Sequence, residues 1–283
     1  MKEWLFDQDP NMAAITLKRF IFDNGPILVI LAFALFAESA YSVDLVEVRL
    51  AAGQGKVESQ SRLGLYYLRG SDVPKDDVQA VLWFRKASEQ GNAFAQAKLG
   101  YCYMLGIGVA KDENLSFAWF RKAAEQGEGY AQAQFGQFFS GSWESFPEDE
   151  IQAALWFKKS ASQGNALGQT RLAICYLTGY GVIKNEAMAF KLFHKAAEQN
   201  NAKAQYNLGL CYSEGTGILK DESQAFYWFH KAAEQFDATA QLKLAQCYSE
   251  GKGVLKNVVL SEYWNMRAID QSRRMGSLEK PVF

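Results

Sequence analysis

Proline, histidine and cysteine are scarce in this chain: five, two and four residues of 283. So few prolines, set against many Ala, Gln, Lys and Glu, argue against an all-β fold, because straight-chain side chains lose little rotamer freedom in a helix. Excess charge of one sign is also missing. Thirty basic against 31 acidic residues leave a formal net charge of -1, so there is no basic field for holding phosphates and no nucleic acid partner is expected. Long apolar runs are absent apart from one near the N terminus. Apolar residues themselves are plentiful, at 49% of the chain against 22% charged, enough for a sizeable core and too many for a disordered polypeptide.

The first 42 residues differ from the rest. Lys18 and Arg19 precede an apolar run from Ile27 to Ala37, which gives way to Glu38-Ser39-Ala40-Tyr41-Ser42. Basic, apolar, then small and polar is the order of a secretory signal. The run of eleven residues would span only about 16 Å as a helix, roughly half the apolar thickness of a bilayer, which disfavours a permanent span. Small residues at −3 and −1 place cleavage after Ser42, with Ser39 as second choice. The long, partly acidic stretch before Lys18 is explained if translation begins at Met12. The expectation is an exported protein, periplasmic or secreted, that meets a membrane only through this segment. The alternatives are an uncleaved membrane anchor and an N-terminal helix packed on the fold.

Self-similarity decides the remainder. Trp83-Phe84 recurs as Trp119-Phe120, Trp156-Phe157, Leu192-Phe193 and Trp228-Phe229, and fades at Trp264-Asn265, with spacings of 36, 37, 36, 36 and 36. Leu63-Gly64, Leu99-Gly100, Phe135-Gly136, Leu172-Ala173, Leu208-Gly209 and Leu244-Ala245 keep the same register. Six repeats therefore run from about Lys56 to Ser272. The chain divides into a signal or hydrophobic segment at 1–42, a repeat region at 43–272 and a tail at 273–283.

Each repeat reads as two helices. In the second copy Ala95, Leu99, Tyr103 and Gly106 share one face of the first helix. Leu115, Ser116, Trp119, Phe120 and Ala123 mark the apolar side of the second. Asp76, Asp112, Asp149, Asn185, Asp221 and Asn257 stand where an N-cap is needed. Gly91, Gly127, Gly164 and Asn200 stand where a left-handed stop is needed, and Phe236 departs from that rule. Between the helices, Gly106-Ile107-Gly108-Val109, Gly179-Tyr180-Gly181-Val182, Gly215-Thr216-Gly217-Ile218 and Gly251-Lys252-Gly253-Val254 read as turns with a buried aliphatic plug. One such pair cannot bury its apolar face alone, so the expected fold is all-α: an α-solenoid, or superhelix, of about six stacked antiparallel helix pairs.

The pattern A-x-A-Q-x-x-LG-x-x-Y-x-x-G-x-GV-x-K-D followed by A-x-x-W-F-x-K-A-A-x-Q-G resembles the Sel1-like repeat, a relative of the tetratricopeptide repeat, over about residues 43–272. Repeat three departs most, Gly141 to Pro147 replacing the glycine turn with one extra residue. The resemblance implies a non-catalytic scaffold that binds another protein or peptide. It also raises an alternative, a cell-wall or β-lactam-related hydrolase, through cysteine-rich relatives carrying two cysteines per repeat. This chain has at most one per repeat.

Cys102, Cys175, Cys211 and Cys247 all stand three residues after the leading Leu. Equivalent atoms in adjacent repeats lie roughly 10 Å or more apart, too far for a disulfide, so buried free thiols are expected. His194 and His230 take positions held elsewhere by Arg85, Arg121 and Lys158, and read as a solvated face with no shared metal. The Gly-x-Gly turns lack the strand and third glycine of a phosphate loop. Ser277 and Lys280 form a chance Ser-x-x-Lys match. No catalytic residue, metal ligand or cofactor follows.

Counting the leading Leu as zero, positions −5, −2, +2 and +5 point away from the core of the pair. By resemblance the first helices line a concave surface, so the candidate protein-binding residues are Phe94, Tyr101, Met104, Tyr130, Leu167, Ile174, Leu177, Tyr206 and Leu210. The competing reading buries this stripe between neighbouring first helices. Binding at the stripe predicts that it tolerates charge while the Trp-Phe pairs do not. If the stripe fails, the irregular loop around Trp143 and Phe146 is the next surface.

Overall fold

A computed structural model describes residues 44–278, apart from 142 and 144, and the expectations for residues 1–42, like the match at Lys280, lie outside them. The described residues are helices, turns and bends without a strand. Two compact units are distinguished, Met1–Gln90 and Gly91–Phe283. The first holds helix α1 over residues 44–53, α2 at Val57–Arg69 and α3 at Asp77–Glu89. The second holds five antiparallel pairs: α4 Ala93–Leu105 with α5 Glu113–Glu125, α6 Gly129–Phe138 with α7 Glu150–Ser162, α8 Ala166–Thr178 with α9 Glu186–Glu198, α10 Ala202–Glu214 with α11 Glu222–Glu234, and α12 Ala238–Glu250 with α13 Val258–Leu278. Each of its helices packs on the next, and α6 also touches α8, as α8 touches α10. The fold is the expected α-solenoid. Among the described residues no helix is long and apolar enough to cross a membrane.

Helix boundaries follow from local chemistry. Every expected second-helix cap is in place: Asp76, Asp112, Asp149, Asn185, Asp221 and Asn257 each accept a first-turn N–H at 2.8–3.0 Å. The first helices of the second unit are capped likewise by Asn92, Glu128, Asn165, Asn201 and Asp237, a set the sequence reading overlooked. The second helices stop at left-handed Gly91, Gly127 and Gly164, and at Asn200. Phe236 takes the same conformation, with φ 65° and no glycine to relieve it.

Within a pair, the core is Leu and Phe with small residues between them. Leu99, Leu208, Phe84, Phe120 and Phe193 are completely buried. A Cβ on Gly209 would stand 2.6 Å from the Phe229 ring, so the Leu-Gly step lets the second helix lay an aromatic ring against the first. Three expectations need correction. In the Trp-Phe pairs only the Phe is core throughout, whereas Trp83, Trp119 and Trp156 are half-buried beneath Lys86, Lys122 and Lys159. Leu115 is 41% exposed, because it precedes the inward face by one residue. The turn plugs are mostly half-buried, and Ile218 is exposed.

Between pairs, a buried glutamine makes the connection. In the second unit Gln132, Gln205 and Gln241 donate from Nε2 to the carbonyls of Ala124, Ala197 and Ala233 at 3.2 Å, at the end of the preceding helix. The Oε1 of Gln96, Gln132, Gln169 and Gln205 accepts from Gln126, Gln163, Gln199 and Gln235 at 2.7–2.8 Å. Gln60 is bonded the same way within the first unit, to Ala52 and Gln90. In the last copy the Gln241 Oε1 is buried without a partner. The turns add a close approach: Gly217, with φ 71°, would place a Cβ 2.3 Å from the Glu186 carbonyl oxygen one repeat earlier. Only glycine fits there.

Repeat three is rearranged. Helix α6 has 10 residues where α4, α8, α10 and α12 have 13. The loop after it folds back on aromatic rings, with Trp143 stacked on Phe138 at 5.1 Å and Phe146 on Phe117 at 4.7 Å. Trp143 and Phe146 are half-buried.

Candidate interaction face of the first helices

The stripe of the first helices splits lengthwise. At position −2, Ala97, Ala133 and Thr170 are buried, and so belong to the seam between repeats. Small side chains there allow α6 to touch α8, which corrects the expectation for that column. Where the stripe ends, the corresponding Leu242 is 50% exposed.

The other columns keep apolar surface accessible to different extents. Phe94 is 38% exposed. The Lys98 ammonium lies 5.1 Å from its ring and 5.4 Å from that of Tyr130, bridging α4 and α6. Tyr101, Met104 and Tyr130 are half-buried against the cluster of Phe120, Phe135 and Phe138. The Tyr130 hydroxyl accepts from Gln134 at 2.7 Å, and burial pushes its pKa up to about 12. Leu167 is half-buried, and Ile174 and Leu177 pack beside Phe193 and Leu208. Tyr206 rests on Phe229 at 5.9 Å, next to Leu210. Since Tyr101 and Leu177 are partly packed, a charge there would also cost stability. Phe94 is the cleaner probe.

Beside α8, beyond the end of α6, lies a cavity of about 370 Å³ lined by Ser140, by Phe157 of α7, by Arg171, Ile174, Cys175 and Thr178 of α8, and by Tyr180. Arg171 Nη2 donates to the Gln137 amide oxygen at 3.1 Å, and burial lowers the pKa of its guanidinium. Ile174 was expected on this face, but Arg171 was not. Position −1 carries Arg62, Lys98, Gln134, Asn207 and Lys243 in the other copies, and no periodic signal singles out one of them.

The remaining chemistry is sparse. All four cysteines are free and buried. Burial pushes the thiols of Cys175, Cys211 and Cys247 up to about 11, which leaves little thiolate at neutral pH. The histidines lie on a partly solvated face, with side chains 38% and 37% exposed. His194 is half-buried, its ring 6.0 Å from Trp228 of the next repeat and its Nδ1 3.5 Å from Glu198, and His230 repeats this against Trp264 and Glu234. Among the described residues no group of three or more His, Cys, Asp and Glu is placed to hold a metal.

A Sel1 repeat family model matches residues 57–92, 93–128, 130–165, 166–201, 202–235 and 238–271. The chain belongs to the Sel1 repeat family. Among solved structures it is similar to a Sel1 repeat protein from Oxalobacter formigenes, at 28% identity and TM-score 0.70, over 84% of this chain and 95% of that one. It also resembles a protective antigen present in uropathogenic Escherichia coli strains, at 34% identity and TM-score 0.61, covering 81% of this chain and 49% of the antigen. An immunity protein from Pseudomonas aeruginosa, at 18% identity and TM-score 0.51 over 76% of this chain and 82% of that one, shares the fold alone. No curated protein matches. A Sel1 repeat solenoid is a scaffold fold consistent with protein–protein interaction.

Proposed function

We propose that this protein is a non-catalytic, exported scaffold that binds a protein or extended peptide on the face lined by its first helices. The observation that carries the reading is the partly exposed apolar and aromatic surface there, open at Phe94 and half-buried at Tyr101, Met104, Ile174 and Leu177, on helices fixed by caps and glutamine bonds. Rigid, partly exposed aromatic and aliphatic groups are what a peptide anchor needs.

Peptides selected from a displayed random library against the full-length protein provide the test. Phe94→Glu should weaken them by more than about 1 kcal/mol, the usual scale of an anchor, with helicity and Tm retained. Leu155→Glu, on the second helix α7 and 46% exposed in the native protein, should leave binding unchanged. The reverse pattern would move the interface to the second helices. No turnover of a chromogenic β-lactam is expected, and measurable hydrolysis would refute the non-catalytic part. Export predicts an intact mass for the released protein that starts near Val43, and a soluble product with a full N terminus would refute it.

A further inference from the structure

We propose that the C-terminal end of the solenoid, the outer face of α13 with Leu242 of α12, is the interface through which two copies of this chain pair antiparallel about a two-fold axis. Pairing there requires no peptide on the first-helix face.

In the preceding copy the next repeat covers this face. Phe226 meets Tyr248 of α12 edge-on at 5.4 Å, His230 meets Trp264 of α13 at 5.9 Å, Ala233 is fully buried, and Asp237 caps α12 by accepting the Ala240 N–H at 2.8 Å. Thirty-six residues later the same column reads Glu262, Met266, Ile269 and Arg273. Among the described residues no repeat follows to cover it. Met266 is 65% and Ile269 50% exposed, and Glu262 and Arg273 are exposed as well. A terminal repeat ordinarily turns a polar face to water. This one keeps the aliphatic column of a seam and enlarges it, with Ile269 where Ala233 stands one repeat earlier and Leu242 where Ala97 and Ala133 are buried.

The length of α13 makes the face continuous. It has 21 residues where α11 has 13, and it runs straight through the position at which Asp237 leaves α11 to cap the next helix. Arg273 therefore extends the stripe of Met266 and Ile269 instead of opening a turn. The steps from 262 to 266, 269 and 273 are four, three and four, the spacing of a helix–helix seam.

The order of side chains along that seam selects a second copy of the same chain. Acidic, apolar, apolar, basic is self-complementary when reversed. Two antiparallel α13 helices place Glu262 of each beside Arg273 of the other, and Met266 of each on Ile269 of the other, as a two-fold contact demands. The charge pairs then fall at the two ends and the aliphatic groups in the middle. Ile269 and Leu242 also line a cavity of about 330 Å³ with Ala268, Ser272 and Arg273, and the unbranched Met266 of the second copy suits it. A parallel pair would instead set Glu262 against Glu262 and Arg273 against Arg273. One helix face is small for an interface, so the dimer should be weak and concentration-dependent.

Sedimentation equilibrium of the full-length protein tests this. The mean mass should rise with concentration from one chain's 31.7 kDa toward twice that value. Met266→Glu should weaken pairing at least about tenfold with helicity and Tm retained. Glu262→Arg and Arg273→Glu should each abolish it, since each sets like charges opposite one another at both ends. Mixing those two variants should restore it, because the mixed pair again brings opposite charges together at both ends, and that recovery also shows that both variants are folded. Self-association that none of the three substitutions changes would overturn the α13 interface. Charge variants that stay apart when mixed would overturn the antiparallel register. A single-chain mass up to the highest concentration would overturn the dimer, leaving this end to a different protein or to the chain's own C terminus, and growth beyond two copies would overturn it in favour of head-to-tail stacking.

Discussion

Gln205→Leu isolates the contribution of the glutamine connection between repeats. Gln205 is 1% exposed; its Nε2 donates to the Ala197 carbonyl at 3.2 Å and to Asn200 Oδ1 at 3.1 Å, and its Oε1 accepts from Gln235 at 2.7 Å. Leucine fills similar volume, so the effect is mainly that of the lost bonds. The groups left behind keep partners: the Ala197 oxygen still receives the Asn200 N–H at 3.0 Å, and Gln235 still reaches Asn200 at 3.1 Å. No group is orphaned, so the cost should be that of two or three ordinary hydrogen bonds, about 1–3 kcal/mol. The internal control is Gln241→Leu. Gln241 makes the corresponding bond to Ala233, but its Oε1 is buried without a partner, so removing it also relieves an unsatisfied acceptor. It should cost at least about 1 kcal/mol less than Gln205→Leu. Urea unfolding of both variants measures this, with the m-value checked because repeat arrays can lose two-state behaviour. Equal losses, or a neutral Gln205→Leu, would refute the claim that these bonds hold the repeats together.

Phe236→Asn should stabilise the protein by about 1 kcal/mol, because φ 65° is costly for phenylalanine and tolerated by asparagine, as Asn200 shows at φ 64°; a lower Tm would refute it. Phe120→Ala should cost about 3–5 kcal/mol and Trp119→Ala clearly less, since only the Phe is fully buried; equal unfolding midpoints would contradict that assignment. The thiols should resist alkylation natively near pH 8, with labelling of Cys175, Cys211 and Cys247 rising only as the pH nears 11, because burial disfavours the thiolate. After denaturation without reductant all four should label, and labelling of two or none would reveal disulfides.

The repeat register, the six second-helix caps, the glycine stops and the buried thiols were legible in the sequence. Each is either periodic or set by chemistry within a few residues: an Asp ahead of a helix meets its N–H groups whatever surrounds it. Functions that need two repeats at once were not legible. The Gln of A-x-A-Q looks like any polar helix residue until the preceding helix brings a carbonyl to it. Trp83, Trp119 and Trp156 look like core until the packing of the two helices gives the inner place to Phe84, Phe120 and Phe157. The two sides of the first-helix stripe differ by less than one helical turn, and only the neighbouring first helix separates seam from open face. Arg171 illustrates the limit most clearly. Its position in the repeat is ordinary, and only the packing of α6 beside α8 brings the Gln137 oxygen to it. Periodicity records what the repeats share, and only packing in three dimensions shows which of those shared positions stay uncovered.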